Sequence, residues 1–155
     1  MFDYIPPCPS TISNECVLPE DYVMYYHIKG YSEHWDDTVK ARLANLKAEY
    51  STRMGAAIRH GTHYLNLQKS DKKLMLILTD GEPSDIDVND SEMLIKDTHK
   101  AVQECQQKGM YPYCISLDNK ADEYISDVFG SHYSVIDRIE SLPKELPQLF
   151  LSLTK

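Results

Sequence analysis

Three observations predict an α/β fold built on a mostly parallel sheet. Strand-like and helix-like segments alternate through the second half of the chain. Leu74-Met75-Leu76-Ile77-Leu78 is apolar at every position, the pattern of a strand covered by helical layers on both faces. Amphipathic helical patterns lie on either side of it, as parallel crossovers require.

Taken in order, residues 1–21 read as an irregular leader. Pro6, Pro7, Pro9 and Pro19 remove backbone donors among Ser10, Thr11, Ser13 and Asn14. The remainder, 22–155, reads as one domain. Tyr22 to Ile28 has the aromatic and β-branched content of a strand. Asp36 or Asp37 then caps a helix with Val39, Leu43, Leu46 and Tyr50 at helical spacing. Ser51-Thr52 opens a second helix, with Met54, Ala57, Ile58, Gly61 and Leu65 on one face. The strand Leu74–Leu78 follows, then the loop Asp80–Asp90.

A third helix is expected from Ser91 to Lys108, with Leu94, Thr98, Ala101, Val102 and Cys105 inward and Gly109 as its stop. Met110–Leu117 is the next buried strand, Ala121–Phe129 a short helix and His132–Ile136 a short strand. The last helix carries Leu142, Leu146, Leu149, Phe150 and Leu153. Pro147 sets the expected start of its regular part, because proline is excluded from a helix interior.

The chain has 155 residues, 42% hydrophobic and 26% charged, which suits one soluble globular domain. At this length folding buries about 70% of the surface of the unfolded chain, so the fold needs no disulfide or metal staple. Lys and Arg number 16 against 24 Asp and Glu, a net charge of −8. That sign argues against a nucleic-acid backbone or an anionic membrane as the main partner. No apolar run approaches the roughly 20 residues of a membrane span. Met1 to Pro7 lacks the basic and apolar regions of a signal peptide, so the expected location is cytoplasmic. Cys8, Cys16, Cys105 and Cys114 are then reduced thiols, the latter two in the core.

In parallel α/β sheets ligands bind at the carboxyl ends of the strands, which points to the Asp80–Asp90 loop and the turn before Met54. The loop holds Asp80, Glu82, Asp85, Asp87 and Asp90, oxygen ligands suited to a hard divalent cation. The competing reading is a solvated acidic loop with Asp90 capping the next helix. An EF-hand from Asp85 fails, because Asp90 stands at the glycine position and Lys96 at the bidentate glutamate position. His60 and His63 lie three apart with no intervening Glu, so they read as helix-surface residues and not a zinc-protease motif. No Gly-x-Ser-x-Gly elbow or Walker loop occurs. Tyr22, Tyr25, Tyr26 and Tyr31 suit either sheet-edge packing or a protein interface.

Two segments, Tyr50-Ser51-Thr52-Arg53-Met54-Gly55-Ala56-Ala57-Ile58-Arg59-His60 and Leu76-Ile77-Leu78-Thr79-Asp80-Gly81-Glu82-Pro83-Ser84-Asp85-Ile86-Asp87, resemble the C-terminal part of a von Willebrand factor A (VWA) domain. The resemblance is to the versions in the nitric oxide reductase activation (NorD) and Rubisco activation (CbbO) families. It continues through Asp97–Val102, Tyr113–Asp118 and Leu142–Pro147, covering about residues 25–155.

The resemblance implies a Rossmann-like three-layer sandwich with a metal-ion-dependent adhesion site (MIDAS). Magnesium in that family is held by Asp-x-Ser-x-Ser, a threonine and an aspartate, and the last two map to Thr52 and Asp80. It implies a non-enzymatic adaptor that works with a MoxR-type AAA+ ATPase to activate a client metalloenzyme, nitric oxide reductase first and Rubisco second. Asp-x-Ser-x-Ser is absent from this sequence, so the first central strand and its helix are expected to be missing and the metal site incomplete. An uncovered edge at Leu74–Leu78 would then favour self-association, complementation by an upstream fragment, or poor solubility. The alternatives are a metal-dependent hydrolase using Asp80, Glu82, Asp85 and Asp87, and a nonfunctional remnant.

Overall fold

The computed structural model describes residues 2–4, 24–47, 52–85, 88, 90–118 and 121–153. These fall into two compact units, Met1–Tyr50 and Ser51–Lys155. The expected division between residues 21 and 22 lies outside the described residues.

In the first unit, β1 (Phe2–Tyr4) pairs antiparallel with β2 (Met24–Tyr26), Phe2 opposite Tyr26. Part of the expected irregular leader is therefore a strand. Helix α1 (Asp37–Ala44) starts where the cap predicts, with Asp36 Oδ1 accepting from the Val39 N–H at 2.9 Å. Its expected apolar face is only partly used: Val39 is buried, while Leu43 and Leu46 are exposed. Polar contacts do much of the local ordering. Arg42 forks onto Glu33 at 2.7 and 3.0 Å and also donates to the Ile28 carbonyl at 2.8 Å. The two Arg42 hydrogen bonds, with a third from the Gly30 N–H, hold the Glu33 carboxyl down to about 2.

The second unit is a parallel sheet with helical crossovers. Its elements are α2 (Met54–Asn66), β3 (Leu74–Thr79), α3 (Ser91–Gln107), β4 (Tyr111–Ser116), α4 (Asp122–Phe129), β5 (Tyr133–Val135), a short 3-10 turn (Ile139–Ser141) and α5 (Leu142–Leu153). The strand order is β3-β4-β5, parallel throughout, with Leu74 opposite Tyr111 and Cys114 opposite Tyr133. Gly109 ends the α3 connection at φ +75°, a conformation that favours glycine.

The period-2 alternation of the strands separates two cores. On one face Met75, Ile77 and Cys114 pack with Met54 and Ile58 of α2, Ala101, Val102 and Cys105 of α3, and Tyr124, Ile125, Val128 and Phe129 of α4. Helices α2 and α3 approach closely because residue 55 has no side chain. A Cβ there would lie 2.1 Å from Asp97 Oδ2 and 3.2 Å from the Asp97 carbonyl carbon. Arg59 bridges the same two helices, forked on Asp97 at 2.8 and 3.1 Å and reaching Glu104 at 2.9 Å.

On the other face Tyr113, Ile115 and Ile136 pack with Leu74, Leu117, Leu142 and Leu146. Two expectations are corrected here. The run Leu74–Leu78 is not covered on both faces, since Leu76 is 43% and Leu78 53% exposed. Helix α5 covers the part of this face around β4 and leaves those two leucines in the open. Helix α5 also runs through Pro147 instead of starting beside it. Proline withholds one N–H from the Pro143 carbonyl, and packing of Leu142 and Leu146 on the sheet outweighs that local cost.

Candidate functional site

The carboxyl end of β3 is built by its last residue. The Thr79 hydroxyl donates to the Gly81 carbonyl at 2.8 Å, which folds the chain sharply around Asp80 and leaves that carboxylate exposed. The Leu117 N–H donates to the Thr79 carbonyl at 2.9 Å, so the exit of β4 stays beside this turn.

Thr52 arrives from the other direction, just before α2. Its carbonyl accepts from the Met54 N–H at 3.0 Å and from the Ser84 N–H at 3.3 Å, and Thr52 and Ser84 form a single antiparallel bridge. The backbone thus ties the Thr52 segment to the loop that Asp80 begins. Thr52 and Asp80, named from sequence as magnesium ligands, are both exposed on these joined segments.

The acidic loop divides its labour. Asp85 is an ion-pair partner of Arg53, and its side chain is only 3% exposed against 20% for Arg53. A carboxylate removed from water this far is stabilised by the adjacent guanidinium. The pair clasps the start of α2 to the β3 loop. Asp90 is the cap of α3, accepting from the Glu92 and Met93 N–H groups at 3.0 and 3.2 Å. Asp80 and Glu82 face solvent, and Asp87 lies outside the described residues. The capping reading therefore holds for Asp90, and Asp85 is already engaged by a cation of the protein itself.

Sequence reasoning missed two contributors. Arg53 was readable as a basic residue beside Thr52, facing an acid-rich loop. Asp118, at the exit of β4, was not singled out; its N–H donates to the Ser116 hydroxyl at 3.1 Å. Burial pushes the Tyr124 hydroxyl up to about 12, and the charges of Asp118 and Glu82 push the same way. The exits of β3 and β4 thus gather negative charge over one buried tyrosine.

Among the described residues no three His, Cys, Asp or Glu side chains converge closely enough to hold a metal ion. A threonine hydroxyl and a carboxylate fit a hard divalent cation in donor type, and magnesium commonly keeps several waters beside one or two protein ligands. His63 is exposed, and His60 and His63 both meet Tyr64 edge-on, at 4.8 and 5.5 Å. Tyr26 and Tyr31 are exposed in the first unit. Among the described residues no helix is long and apolar enough to cross a membrane.

Comparison with known proteins returns the von Willebrand factor type A domain over residues 23–141. An uncharacterized protein of Pseudomonas aeruginosa is 35% identical over 134 residues, 86% of this chain and 22% of its own length. Protein NorD of Stutzerimonas stutzeri is 37% identical over 120 residues, 77% of this chain and 20% of its own. Protein NorD of Brucella melitensis is 36% identical over 127 residues, 81% of this chain and 20% of its own. The chain spans about a fifth of the length of these relatives. No solved structure matches it.

Proposed function

The chain belongs to the von Willebrand factor type A domain family, and on that premise we propose that it is a non-enzymatic protein-binding module with a NorD-like role. In this reading it works with a MoxR-type AAA+ ATPase to activate a client metalloenzyme, nitric oxide reductase in the first instance. The observation that carries it is the similarity to NorD proteins, which spans the Thr52 and Asp80 segments that the fold joins at one sheet edge.

The residues supply a binding edge. The Thr79 turn presents Asp80 to solvent, the Thr52–Ser84 bridge holds the threonine segment against the same loop, and the Arg53–Asp85 pair fixes both. Magnesium, when bound by Thr52 and Asp80, would supply positive charge and open coordination positions to a partner's carboxylate. Asp85, paired with Arg53, is not available as a second acid for the hydrolase reading, which leaves that reading without its four-carboxylate centre. The name shared by the relatives favours the NorD client over Rubisco.

The test is capture of a purified MoxR-type ATPase by the immobilised chain in magnesium and in chelator. The expected result is retention in magnesium that Asp80→Ala and Thr52→Ala each reduce at least tenfold. Capture that is equal in chelator and unaffected by either substitution would refute the cation-dependent edge. No capture under any condition would refute the ATPase partner.

A further inference from the structure

One arginine sets how the helix behind Thr52 meets its neighbour. Arg59 of α2 forks onto Asp97 of α3 at 2.8 and 3.1 Å, and its Nε donates to Glu104 at 2.9 Å. The two acids are anchored seven residues apart, which is two turns or about 10.5 Å along α3. A guanidinium bonded to both fixes where α2 stands along α3 and how it is rotated about its own axis. Gly55 completes the fit, because a Cβ there would collide with Asp97 Oδ2.

The network is a poor source of stability. The side chains of Arg59, Asp97 and Glu104 are 29%, 44% and 36% exposed, and ion pairs this accessible to water add little to folding. What a forked guanidinium supplies is direction.

Direction matters at the start of α2. Arg59 is only about two turns from Thr52, so a shift of α2 along α3 is passed on to that residue. There one backbone bond, from the Ser84 N–H to the Thr52 carbonyl at 3.3 Å, joins two exposed residues. A bond that water can replace locks no position by itself. The Arg53–Asp85 pair ties the same segment to the loop, but it does not set the place of α2 along α3. Asp90 anchors the far end of the loop as the cap of α3. Thr52, Ser84, Asp90, Asp97 and Arg59 thus lie on a closed circuit that runs from α2 through the loop to α3 and back.

We propose that Arg59 is the positioning residue of the Thr52 edge. Through Asp97 and Glu104 it holds α2 at the place on α3 where Thr52 meets the loop that Asp80 begins. Its bearing on cation binding rests on the Thr52 and Asp80 reading proposed for this edge, whereas the positioning itself does not.

The experiment is hydrogen exchange of the Ser84 amide by NMR, on the full chain in chelator and well below its melting temperature. Exchange in Arg59→Met should be at least fivefold faster than in the parent. Arg59→Lys should fall between them, because an ammonium cannot fork. Asp97→Ala should match Arg59→Met, and the double variant should add nothing further, as expected for partners in one network. Val128→Ala, a core truncation on α4, should stay within twofold of the parent. A second measurement, calorimetric titration with magnesium, should show binding weakened at least threefold in Arg59→Met and unchanged in Val128→Ala. Ser84 exchange unmoved by Arg59→Met, or quickened as much by Val128→Ala, would overturn the positioning role. A parent that binds magnesium no better than Arg59→Met would overturn its reach to the cation. A parent that binds no magnesium at all would refute the cation reading of the edge, and the Ser84 rates would still decide the positioning.

Discussion

The two faces of the β3-β4-β5 sheet are made from similar residues and are finished differently. On the face that carries Met75, Ile77 and Cys114, three helices close over the sheet, and Ala101, Cys105, Cys114 and Ile125 are fully buried. On the face that carries Leu74, Leu76 and Leu78, α5 covers one part and leaves leucines in solvent. Burial of an aliphatic side chain stabilises by about 1.5–3 kcal/mol. Leu76 and Leu78, about half exposed, give only part of that to the fold. The closed face holds the domain together, and the open side of β3 leaves Leu76 and Leu78 in contact with water.

Substitution of a residue sealed in the closed face sharpens this contrast most. Ile125→Ala should cost about 2–5 kcal/mol, because it removes a fully buried side chain from α4 and leaves a cavity. Denaturant unfolding at constant slope measures it. A loss below about 1 kcal/mol would mean that the closed core is loosely packed and the two faces are not distinct.

Gly55→Val is expected to rank next. Its branched side chain would force Asp97, and the Arg59 fork on it, away from the α2–α3 contact. Overpacking of this kind costs about 1–3 kcal/mol. A neutral result would show that the helices separate freely.

Alkaline pH should weaken the closed face in particular. Burial pushes the Cys114 thiol from 9.0 up to about 12 and the Tyr124 hydroxyl from 10.0 to about 12. Between those values the folded chain keeps protons that the unfolded chain releases, so stability is full below pH 9 and falls as pH rises. Each group contributes a slope of up to about 1.4 kcal/mol per pH unit. Unfolding curves from pH 8 to 11 should show this decline, and Cys114→Ala should remove the Cys114 share of the slope. A flat profile in the parent would contradict the burial of both groups.

The smallest effect belongs to the open side. Leu78→Ser should change the stability of the monomer by no more than about 0.5 kcal/mol, since the side chain is half in water. A loss above 1 kcal/mol would show that this leucine already has a full complement of neighbours.

Much of this was legible in the sequence because it depends on local pattern. The α3 stripe Thr98, Ala101, Val102 and Cys105, the Asp90 and Asp36 caps and the Gly109 stop all emerge where periodicity and capping chemistry put them. The strand at Leu74–Thr79 was legible too, but its covering was not. An apolar run records that a strand can be buried on both faces, not that a second layer reaches it. Pro147 inside α5 shows the opposite failure, with tertiary packing prevailing over a local rule. In the candidate site, the composition of the acidic loop named Asp80 and Asp85 alike. Only the long-range pairing with Arg53 separates the buried carboxylate from the exposed one.

The most direct test is a thermal melt of the parent and Asp80→Ala, each with chelator and with millimolar magnesium. A ligand that binds only the folded chain raises the midpoint by mass action. The expected result is a cooperative transition that magnesium raises in the parent and leaves unmoved in Asp80→Ala. Equal midpoints with and without magnesium in the parent, or an equal rise in both proteins, would contradict a cation-dependent binding edge at Thr52 and Asp80.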